Sequence, residues 1–222
     1  MSNSKSFFLV FEGLNGSGKT TLTKLLADRV CHYAEGLEAG HYTEEPHKHS
    51  AAHSYIRDVL DKNLIVSPRA LELAFAVNRQ DHCDRHIMPK LMRPKQLVVC
   101  DRYVLSSMVY QDVGAGGYLE VLDLNKRVLE PDLTIFLDVP LDVIPLRLAS
   151  RKKDPDIFSL DYIKYRKKYF EMIPHARKLG PVEIVPAGGP LEVVYSNVVE
   201  VLKSYAAPLS DWLIPILDRS LK

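Results

Sequence analysis

The sequence predicts an α/β fold in which a parallel β-sheet is covered by helices. Apolar runs typical of buried strands recur along the chain, and segments with helical patterns separate them. The four clear runs are Phe7 to Phe11, Leu97 to Cys100, Leu133 to Val139 and Val182 to Val185. A fifth, weaker run from His41 to Thr43 lies just before Glu44-Glu45-Pro46. Since strands alternate with helices along the chain, we expect the strands to be parallel.

The segments between the strands carry helix signals. Ser67-Pro68 supplies an N-cap and a first-turn proline for a helix that runs toward Arg79. We expect Pro89 to interrupt the segment that follows, and we expect a further helix from Tyr118 to Leu129. After the first strand, apolar residues at helical spacing form one stripe: Leu22, Leu25, Leu26 and Val30.

Composition indicates a compact soluble protein. A chain of 222 residues, 46% hydrophobic and 26% charged, suffices for one substantial core, so we expect one domain over residues 1–222. The net charge of +1 and the isoelectric point near 7.7 give no electrostatic case for a nucleic-acid partner. No apolar run approaches the length of a membrane span. Three cysteines without C-x-x-C spacing are typical of reduced thiols, and we expect a cytoplasmic protein.

A glycine-rich segment directly after the first strand is the strongest chemical signal. Its pattern, G-x4-G-K-[ST] between a strand and a helix, is that of a loop that binds the phosphates of a nucleoside triphosphate. The glycines allow backbone N–H groups to surround the phosphates, Lys19 adds a mobile positive charge, and the Thr20 hydroxyl is placed to bind Mg²⁺. The cofactor-binding residues are therefore expected to be Gly13, Leu14, Asn15, Gly16, Ser17, Gly18, Lys19 and Thr20.

A second signal follows the buried run Leu97 to Cys100. In an open α/β sheet, ligands bind at the carboxyl ends of the strands, so Asp101 and Arg102 are expected to lie near the phosphate loop. Asp101 can hold Mg²⁺ through water, and Arg102 can bind a second phosphate group. The alternative for this pair is a structural ion pair at the end of a strand.

These motifs, taken in order, resemble the thymidylate kinase family of phosphate-loop nucleoside monophosphate kinases. The resemblance covers most of the chain. It is carried by Phe11-Glu12-Gly13 through Thr20-Thr21, Glu45-Pro46, Phe75-Ala76 with Arg79, Asp101-Arg102-Tyr103 with Ser106-Ser107 and Tyr110-Gln111, and Pro131 to Thr134 with Leu137-Asp138-Val139. It implies a phosphate-loop kinase fold with five parallel strands, helices on both faces and a short lid. It also implies transfer of the γ-phosphate of ATP to dTMP, with Mg²⁺, by a homodimer.

The resemblance also implies roles for individual residues. Phe75 would stack on the acceptor base, and Arg79 would contact its exocyclic oxygen. Arg102 would hold the acceptor phosphate, while Ser107 and Gln111 would face the base and Tyr110 would favour deoxyribose. From spacing alone, Phe75 and Arg79 share one helix face, where a ring and a guanidinium can reach the same base, although a core role for Phe75 is the alternative.

The lid implied by the resemblance falls at the polar break of about residues 151–159. One subclass of the family carries its catalytic arginine there, which makes Arg151 the candidate beside Lys152 and Lys153. Position 16, where the other subclass has an arginine, is glycine here. The alternative for this basic group is a solvated helix end, where cations are favoured in any case.

Two positions depart from the family pattern: Asn15 replaces the usual aspartate, and Glu44 replaces the usual arginine before Glu-Pro. They leave open a kinase for another nucleoside monophosphate. They also leave open a deoxynucleoside kinase, which would need Glu44 or Glu45 as a base. A nucleotide-dependent regulatory binding protein is the alternative that is not an enzyme.

Two further groups of residues stand outside these motifs. The histidines at 47, 49, 53, 82 and 86 invite a zinc interpretation, but there is no cysteine pair and no H-E-x-x-H pattern, so we do not expect a zinc site. The segment from Ala207 to Leu221 has the pattern of a short amphipathic helix, and we expect it to pack on the body of the protein.

Overall fold

The fold is built on five parallel strands in the order β2-β3-β1-β4-β5. The computed structural model describes residues 5–34, 39–111, 117–149, 161–206 and 212–219. The strands are β1 (Phe7–Glu12), β2 (Gly40–Glu44), β3 (Leu97–Asp101), β4 (Leu133–Asp138) and β5 (Val182–Pro186). All five predicted strands are thus present, and the predicted parallel arrangement is confirmed.

Helices occupy most of the chain between the strands. Their bounds are α1 (Lys19–Tyr33), α2 (His53–Leu60), α3 (Pro68–His82), α4 (Met88–Leu91), α5 (Val104–Tyr110), α6 (Gly117–Leu124), α7 (Val143–Ala149), α8 (Tyr162–Ala176), α9 (Leu191–Ala206) and α10 (Leu213–Leu217). A π-helical turn, Cys83–Ile87, joins α3 to α4, and a 3₁₀ turn, Arg177–Leu179, follows α8.

Strand β1 lies at the centre of the sheet. It pairs with β3 on one side, where Phe11 is opposite Asp101, and with β4 on the other, where Glu12 is opposite Phe136. All six residues of β1 are buried, and because their side chains alternate between the two faces, both faces of the sheet must be covered. This register places the segment after Glu12 beside the end of β3.

Helix α3 begins where the sequence predicts, since the Ser67 side chain accepts a hydrogen bond from Ala70 N at 3.2 Å. The expected interruption near Pro89 takes the form of a π-helical turn between α3 and α4. Met88 N donates to Cys83 O five residues back, in the π-helical turn, and α4 then starts. Pro89 therefore falls in the first turn of a new helix, where a missing N–H costs little.

Helix α6 is shorter than predicted. It was expected to reach Leu129 but ends at Leu124. The Asn125 side chain donates to Val121 O at 2.7 Å, and its Oδ1 accepts from Arg79 at 2.6 Å. An asparagine bonded in this way competes with the backbone of the helix and favours its end.

Helix α10, the described part of the segment expected to pack on the body of the protein, does so. In α10, the side chains of Leu213, Ile216 and Leu217 are buried, and Tyr195 of α9 donates its hydroxyl to Leu217 O at 2.9 Å. Among the described residues, no helix combines the length and apolar character that crossing a membrane requires.

Candidate active site

The segment between β1 and α1 forms the phosphate loop, and its first glycine is required by geometry. Gly13 has φ 146°, and a Cβ there would lie 2.8 Å from Ser17 Oγ and 2.9 Å from Leu137 O. Leu14 and Ser17 are buried, and Ser17 N donates to Leu14 O at 3.1 Å. A tight turn of this kind directs successive backbone N–H groups toward one point, which is the geometry of an anion site.

Lys19 lies in the first turn of α1 and folds back over the loop. Its Nζ donates to Gly13 O at 3.0 Å and to Leu14 O at 2.9 Å, and the residue is only 5% exposed. Backbone carbonyls thus hold a buried ammonium group at the edge of the anion site. An incoming phosphate can replace these carbonyls as the partner of Lys19, because a charged acceptor makes the stronger hydrogen bond.

Thr20 of α1 contacts Asp101, the last residue of β3, and its hydroxyl donates to Asp101 Oδ2. Asp101 is buried, and its second oxygen, Oδ1, has no hydrogen-bond partner among the described residues. Buried polar atoms are rarely left without a partner, so an unsatisfied carboxylate oxygen here requires an explanation. A hydroxyl and a carboxylate beside a phosphate loop are the oxygen ligands that suit Mg²⁺.

Arg102 turns the chain sharply at the end of β3. Its φ of 73° is left-handed, a conformation that costs a residue other than glycine roughly 1–2 kcal/mol. The guanidinium Nη1 donates to Ser106 Oγ at 3.0 Å, Tyr169 OH at 3.3 Å and Gly13 O at 3.4 Å, while Nη2 donates to Asn15. These contacts fix a permanent positive charge directly beside the phosphate loop.

Glu12, the last residue of β1, binds the groups that surround Arg102. It is fully buried, and its Oε1 accepts from the backbone N–H of Tyr103 at 2.8 Å and of Ser106 at 2.9 Å. Its Oε2 accepts from Ser106 Oγ at 2.6 Å and from Tyr169 OH at 3.3 Å. Burial raises the pKa of Glu12, and the charge of Arg102 opposes that shift. With four donors directed at its two oxygens, the group is satisfied as a carboxylate.

A cavity of about 110 Å³ opens beside Arg102, and we call it the arginine cavity. All six residues predicted to bind the acceptor line it: Phe75, Arg79, Arg102, Ser107, Tyr110 and Gln111. The remaining lining residues are Glu45, Pro46, Arg57, Leu60, Tyr103 and Ser106. The structure therefore brings together side chains from α2, α3 and α5 that lie far apart in the sequence.

Arg79 is held firmly in the wall of this cavity. Its Nε donates to Glu45 Oε2 at 2.7 Å, Nη1 to Asn125 Oδ1 at 2.6 Å, and Nη2 to Ser107 Oγ at 2.8 Å and Tyr103 O at 3.3 Å. The other oxygen of Glu45 lies 3.3 Å from His82 Nδ1. Both oxygens of Glu45 are thus engaged, whereas Glu44 is exposed, lies outside the cavity and accepts from Tyr42.

Sequence reasoning gave no role to three residues that the structure brings to the site. Arg57 of α2 lines the arginine cavity as a third cation, and its Nη2 donates to Asp61 at 2.5 Å. Glu12 could have been recognised as a charged residue that ends a fully apolar strand. Tyr169 gave no signal, because it lies in α8, about 150 residues after the loop.

A second cavity, the loop cavity, lies on the other side of the phosphate loop, with a volume of about 240 Å³. Arg147 of α7 borders it and donates to Gly16 O at 3.4 Å and Gly189 O at 3.3 Å. The other lining residues are Ser17, Gly18, Thr21, Leu22, Ala187, Leu191 and Val194. The phosphate loop therefore separates two cavities. Arg151 and the predicted lid, 151–159, lie outside the described residues.

The histidines form a cluster of rings next to Glu45. His47 stacks on His82 with ring centres 4.2 Å apart, and His86 lies 4.3 Å from His47. Burial and the neighbouring imidazoles lower the pKa of His47 to about 3. Within the described ranges, no group of three histidine, cysteine or acidic residues has the geometry of a metal site.

The phosphate loop, the Thr20–Asp101 pair and the two cavities at one edge of a parallel sheet define a phosphate-loop kinase that acts on nucleotides. A family model described as thymidylate kinase matches residues 11–198. The chain belongs to the thymidylate kinase family.

Relatives and solved structures agree with this assignment. The chain is 32% identical to a probable thymidylate kinase of Staphylothermus marinus, over 91% of this chain and 97% of that one. It is 31% identical to the thymidylate kinase of Mycoplasmoides gallisepticum, over 89% and 94% of the two chains. The crystal structure of thymidylate kinase from Ehrlichia chaffeensis superposes with a TM-score of 0.65 at 26% identity, over 89% of this chain and 99% of that one.

Proposed function

We propose that this protein transfers the γ-phosphoryl group of ATP to the phosphate of dTMP, giving dTDP and ADP. The observation that carries the proposal is the arginine cavity, which Arg57 and Arg102 line together and where Arg102 also contacts the phosphate loop at Gly13 and Asn15. Two arginines in one cavity suit an acceptor that already bears a phosphate. The family match supports the same reaction.

The cavity argues against a nucleoside acceptor. Phosphorylation of a hydroxyl needs a carboxylate base within hydrogen-bond reach of it. Of the described residues that line the arginine cavity, Glu45 is the one carboxylate, and its oxygens already bind Arg79 and His82. A monophosphate acceptor is anionic and needs alignment and charge neutralisation instead.

In the proposed mechanism, the donor phosphates bind at the phosphate loop and replace the carbonyls of Gly13 and Leu14 as the hydrogen-bond partners of Lys19. The nucleoside of ATP occupies the loop cavity beside Arg147. Arg102 and Arg57 hold the acceptor phosphate in line with the donor. Arg151, proposed from its position in the predicted lid, neutralises charge on the transferred group. Thr20 and Asp101 would hold Mg²⁺, which when bound would neutralise negative charge on the donor phosphates.

For the acceptor base, we propose that Phe75 stacks on the ring while Arg79, Ser107 and Gln111 face its polar edge. Gln111 is buried, and its Oε1 has no partner among the described residues. A buried acceptor of this kind can receive the ring N–H of a thymine. Tyr110 closes the cavity on the sugar side and would favour deoxyribose.

We further propose a cytoplasmic homodimer. Leu73 and Val77 lie one turn apart on α3, and they are 41% and 52% exposed. A second copy of the chain would cover this apolar patch. Light scattering should give twice the mass of 25.1 kDa for the parent chain. Substitution of both residues by serine should give the monomer mass, and a parent chain that is already monomeric would contradict this assembly.

The reaction is tested by a coupled ADP-release assay with ATP, Mg²⁺ and a panel of nucleosides and nucleoside monophosphates. We expect dTMP to be the best acceptor and thymidine to give negligible turnover. Arg102→Ala should lower kcat/KM for dTMP by about a hundredfold or more, because it removes a charged pair that needs a phosphate partner. Faster phosphorylation of a nucleoside than of any monophosphate would overturn the proposal.

A further inference from the structure

His82, the last residue of α3, binds the carboxylate that holds Arg79. Its Nδ1 lies 3.3 Å from Glu45 Oε1, and its Nε2 lies 2.7 Å from Thr43 Oγ1. Because a carboxylate oxygen only accepts hydrogen bonds, Nδ1 carries the proton, and in that tautomer Nε2 accepts from the Thr43 hydroxyl. His82 is fully buried, and His47 stacks on it with an angle of 7° between the ring planes. The imidazole is thus held at both nitrogens and on one face.

The pair between Glu45 and Arg79 is joined by one hydrogen bond, from Nε to Oε2 at 2.7 Å. Nη2, the nitrogen that can join Nε in a bidentate pair, donates instead to Ser107 Oγ at 2.8 Å. Arg166 shows the bidentate form in the same protein, because its Nε and Nη2 both bind Asp138, each at 2.8 Å. Bidentate pairing is a frequent arrangement of arginine and carboxylate. Glu45 does not adopt it, since its Oε1 is directed at the imidazole.

We propose that His82 is a positioning residue for selection of the acceptor base. Its Nδ1–H occupies Glu45 Oε1 and so keeps the pair with Arg79 in the single-bonded form. Nη2 therefore stays on Ser107 in the wall of the arginine cavity, and the guanidinium keeps the orientation in which it faces the exocyclic oxygen of thymine. This inference rests on the proposed function, since it requires the base to lie against Arg79.

Loss of the imidazole N–H would change the pair. Glu45 Oε1 would become a buried carboxylate oxygen without a donor, which is unfavourable. It would take Nη2 of Arg79 from Ser107, and the guanidinium would rotate in the cavity wall. Thymine and uracil present a carbonyl oxygen at the exocyclic position, whereas cytosine presents an amino group. Discrimination between these two groups should therefore fall, while discrimination for the methyl group of thymine should not.

The test compares two variants at position 82. The amide nitrogen of asparagine is as many bonds from Cα as Nδ1 of histidine, so His82→Asn keeps a donor for Glu45. In glutamine the amide nitrogen matches Nε2, so His82→Gln keeps the contact with Thr43 instead. Both variants lose the ring and its stacking on His47, which makes each the control for the other.

The quantity measured is kcat/KM for dTMP, dUMP and dCMP, at a temperature where circular dichroism shows both variants to be folded. We expect His82→Gln to lower the ratio of dTMP to dCMP by about tenfold or more, the equivalent of one lost hydrogen bond, and His82→Asn to lower it by less than about threefold. The ratio of dTMP to dUMP should stay within about twofold of the parent in both variants, because dUMP carries the same carbonyl.

A double substitution shows whether His82 acts through Arg79. In an Arg79→Lys background the guanidinium is absent, so addition of His82→Gln should change the ratio of dTMP to dCMP by less than about twofold. The parent protein gives an independent check, because the ¹⁵N NMR shifts of the His82 ring should be those of the Nδ1–H tautomer.

Four results would each overturn the inference: equal ratios in the two variants, an unchanged ratio in His82→Gln, a full further loss in the Arg79→Lys background, or the Nε2–H tautomer in the parent. A parent that does not phosphorylate dTMP would instead refute the proposed function.

Discussion

Replacement of Glu12 by glutamine should destabilise the protein by about 3 kcal/mol, although the two side chains have nearly the same shape. Glu12 is fully buried and accepts four hydrogen bonds. The amide oxygen of glutamine can keep the two bonds from the backbone of α5. Its NH₂ group would then face Ser106 Oγ and Tyr169 OH, the two hydroxyls that now donate to Oε2 and also accept from Arg102.

The magnitude follows from what is lost. Two hydrogen bonds to a charged group contribute roughly 1.5–3 kcal/mol each, and part of this is recovered when the hydroxyls reorient. Arg102 also loses the attraction of a buried carboxylate with which it shares the hydroxyls of Ser106 and Tyr169. A net loss of about 3 kcal/mol is the lower end of what two such hydrogen bonds contribute. For a chain of this size it corresponds to a fall in Tm of roughly 6–12 °C.

Urea unfolding followed by circular dichroism measures this free energy directly. The matched control is Glu44→Gln, the same chemical change in an exposed residue of β2, which should stay within about 0.5 kcal/mol of the parent. Because Glu12 supports Arg102, Glu12→Gln should also raise the KM for dTMP more than the KM for ATP. A loss below about 1 kcal/mol would refute the reasoning, as would equal changes in the two KM values.

Three further predictions concern single side chains. Lys19→Ala should lower kcat by at least about a hundredfold with the fold retained, since charge neutralisation on the transferred group contributes roughly 3 kcal/mol; turnover within twofold of the parent would contradict it. Arg151→Ala should lower kcat much more than it changes the KM for dTMP. A change in KM alone would mean that a residue other than Arg151 neutralises charge on the transferred group. The pKa of His47 is lowered to about 3 in the folded protein, while that of an unfolded histidine is near 6.5. Above pH 6.5 His47 is neutral in both states, so its protonation takes nothing from the stability of the fold. Stability should fall as pH drops toward 3, by up to about 1.4 kcal/mol per pH unit, and urea unfolding of His47→Gln should show a smaller slope.

Much of the fold was predictable because the buried strands β1, β3 and β4 are mostly apolar. Each predicted strand appears within two residues of its expected bounds, and the Ser67 cap fixes the start of α3. Two details of the helices could not be predicted from local propensity. The π-helical turn before Pro89 is closed by a backbone hydrogen bond from Met88 to Cys83, and α6 ends early at Asn125, whose Oδ1 accepts from the distant Arg79.

The site was predictable where its motifs are local. The phosphate loop and Asp101-Arg102 each lie within a few residues of a strand end, and the sheet register brings them together. Arg57 and Tyr169 could not be found in this way, because each reaches the site from a helix with no motif of its own. Their positions depend on how α2 and α8 pack against the rest of the protein, and no short sequence motif encodes that packing.

The central position of β1 has a consequence for how the chain is made. Of the five strands β1 is synthesised first, yet its partners β3 and β4 end only at Asp101 and Asp138. At roughly 5–20 residues per second, a ribosome needs on the order of 6–25 s to pass from Glu12 to Asp138. Throughout that interval the apolar segment Phe7 to Phe11 has an unpaired edge, which other chains can bind. Nascent chains halted between β3 and β4 should therefore depend strongly on chaperones, whereas chains that have completed β4 should not.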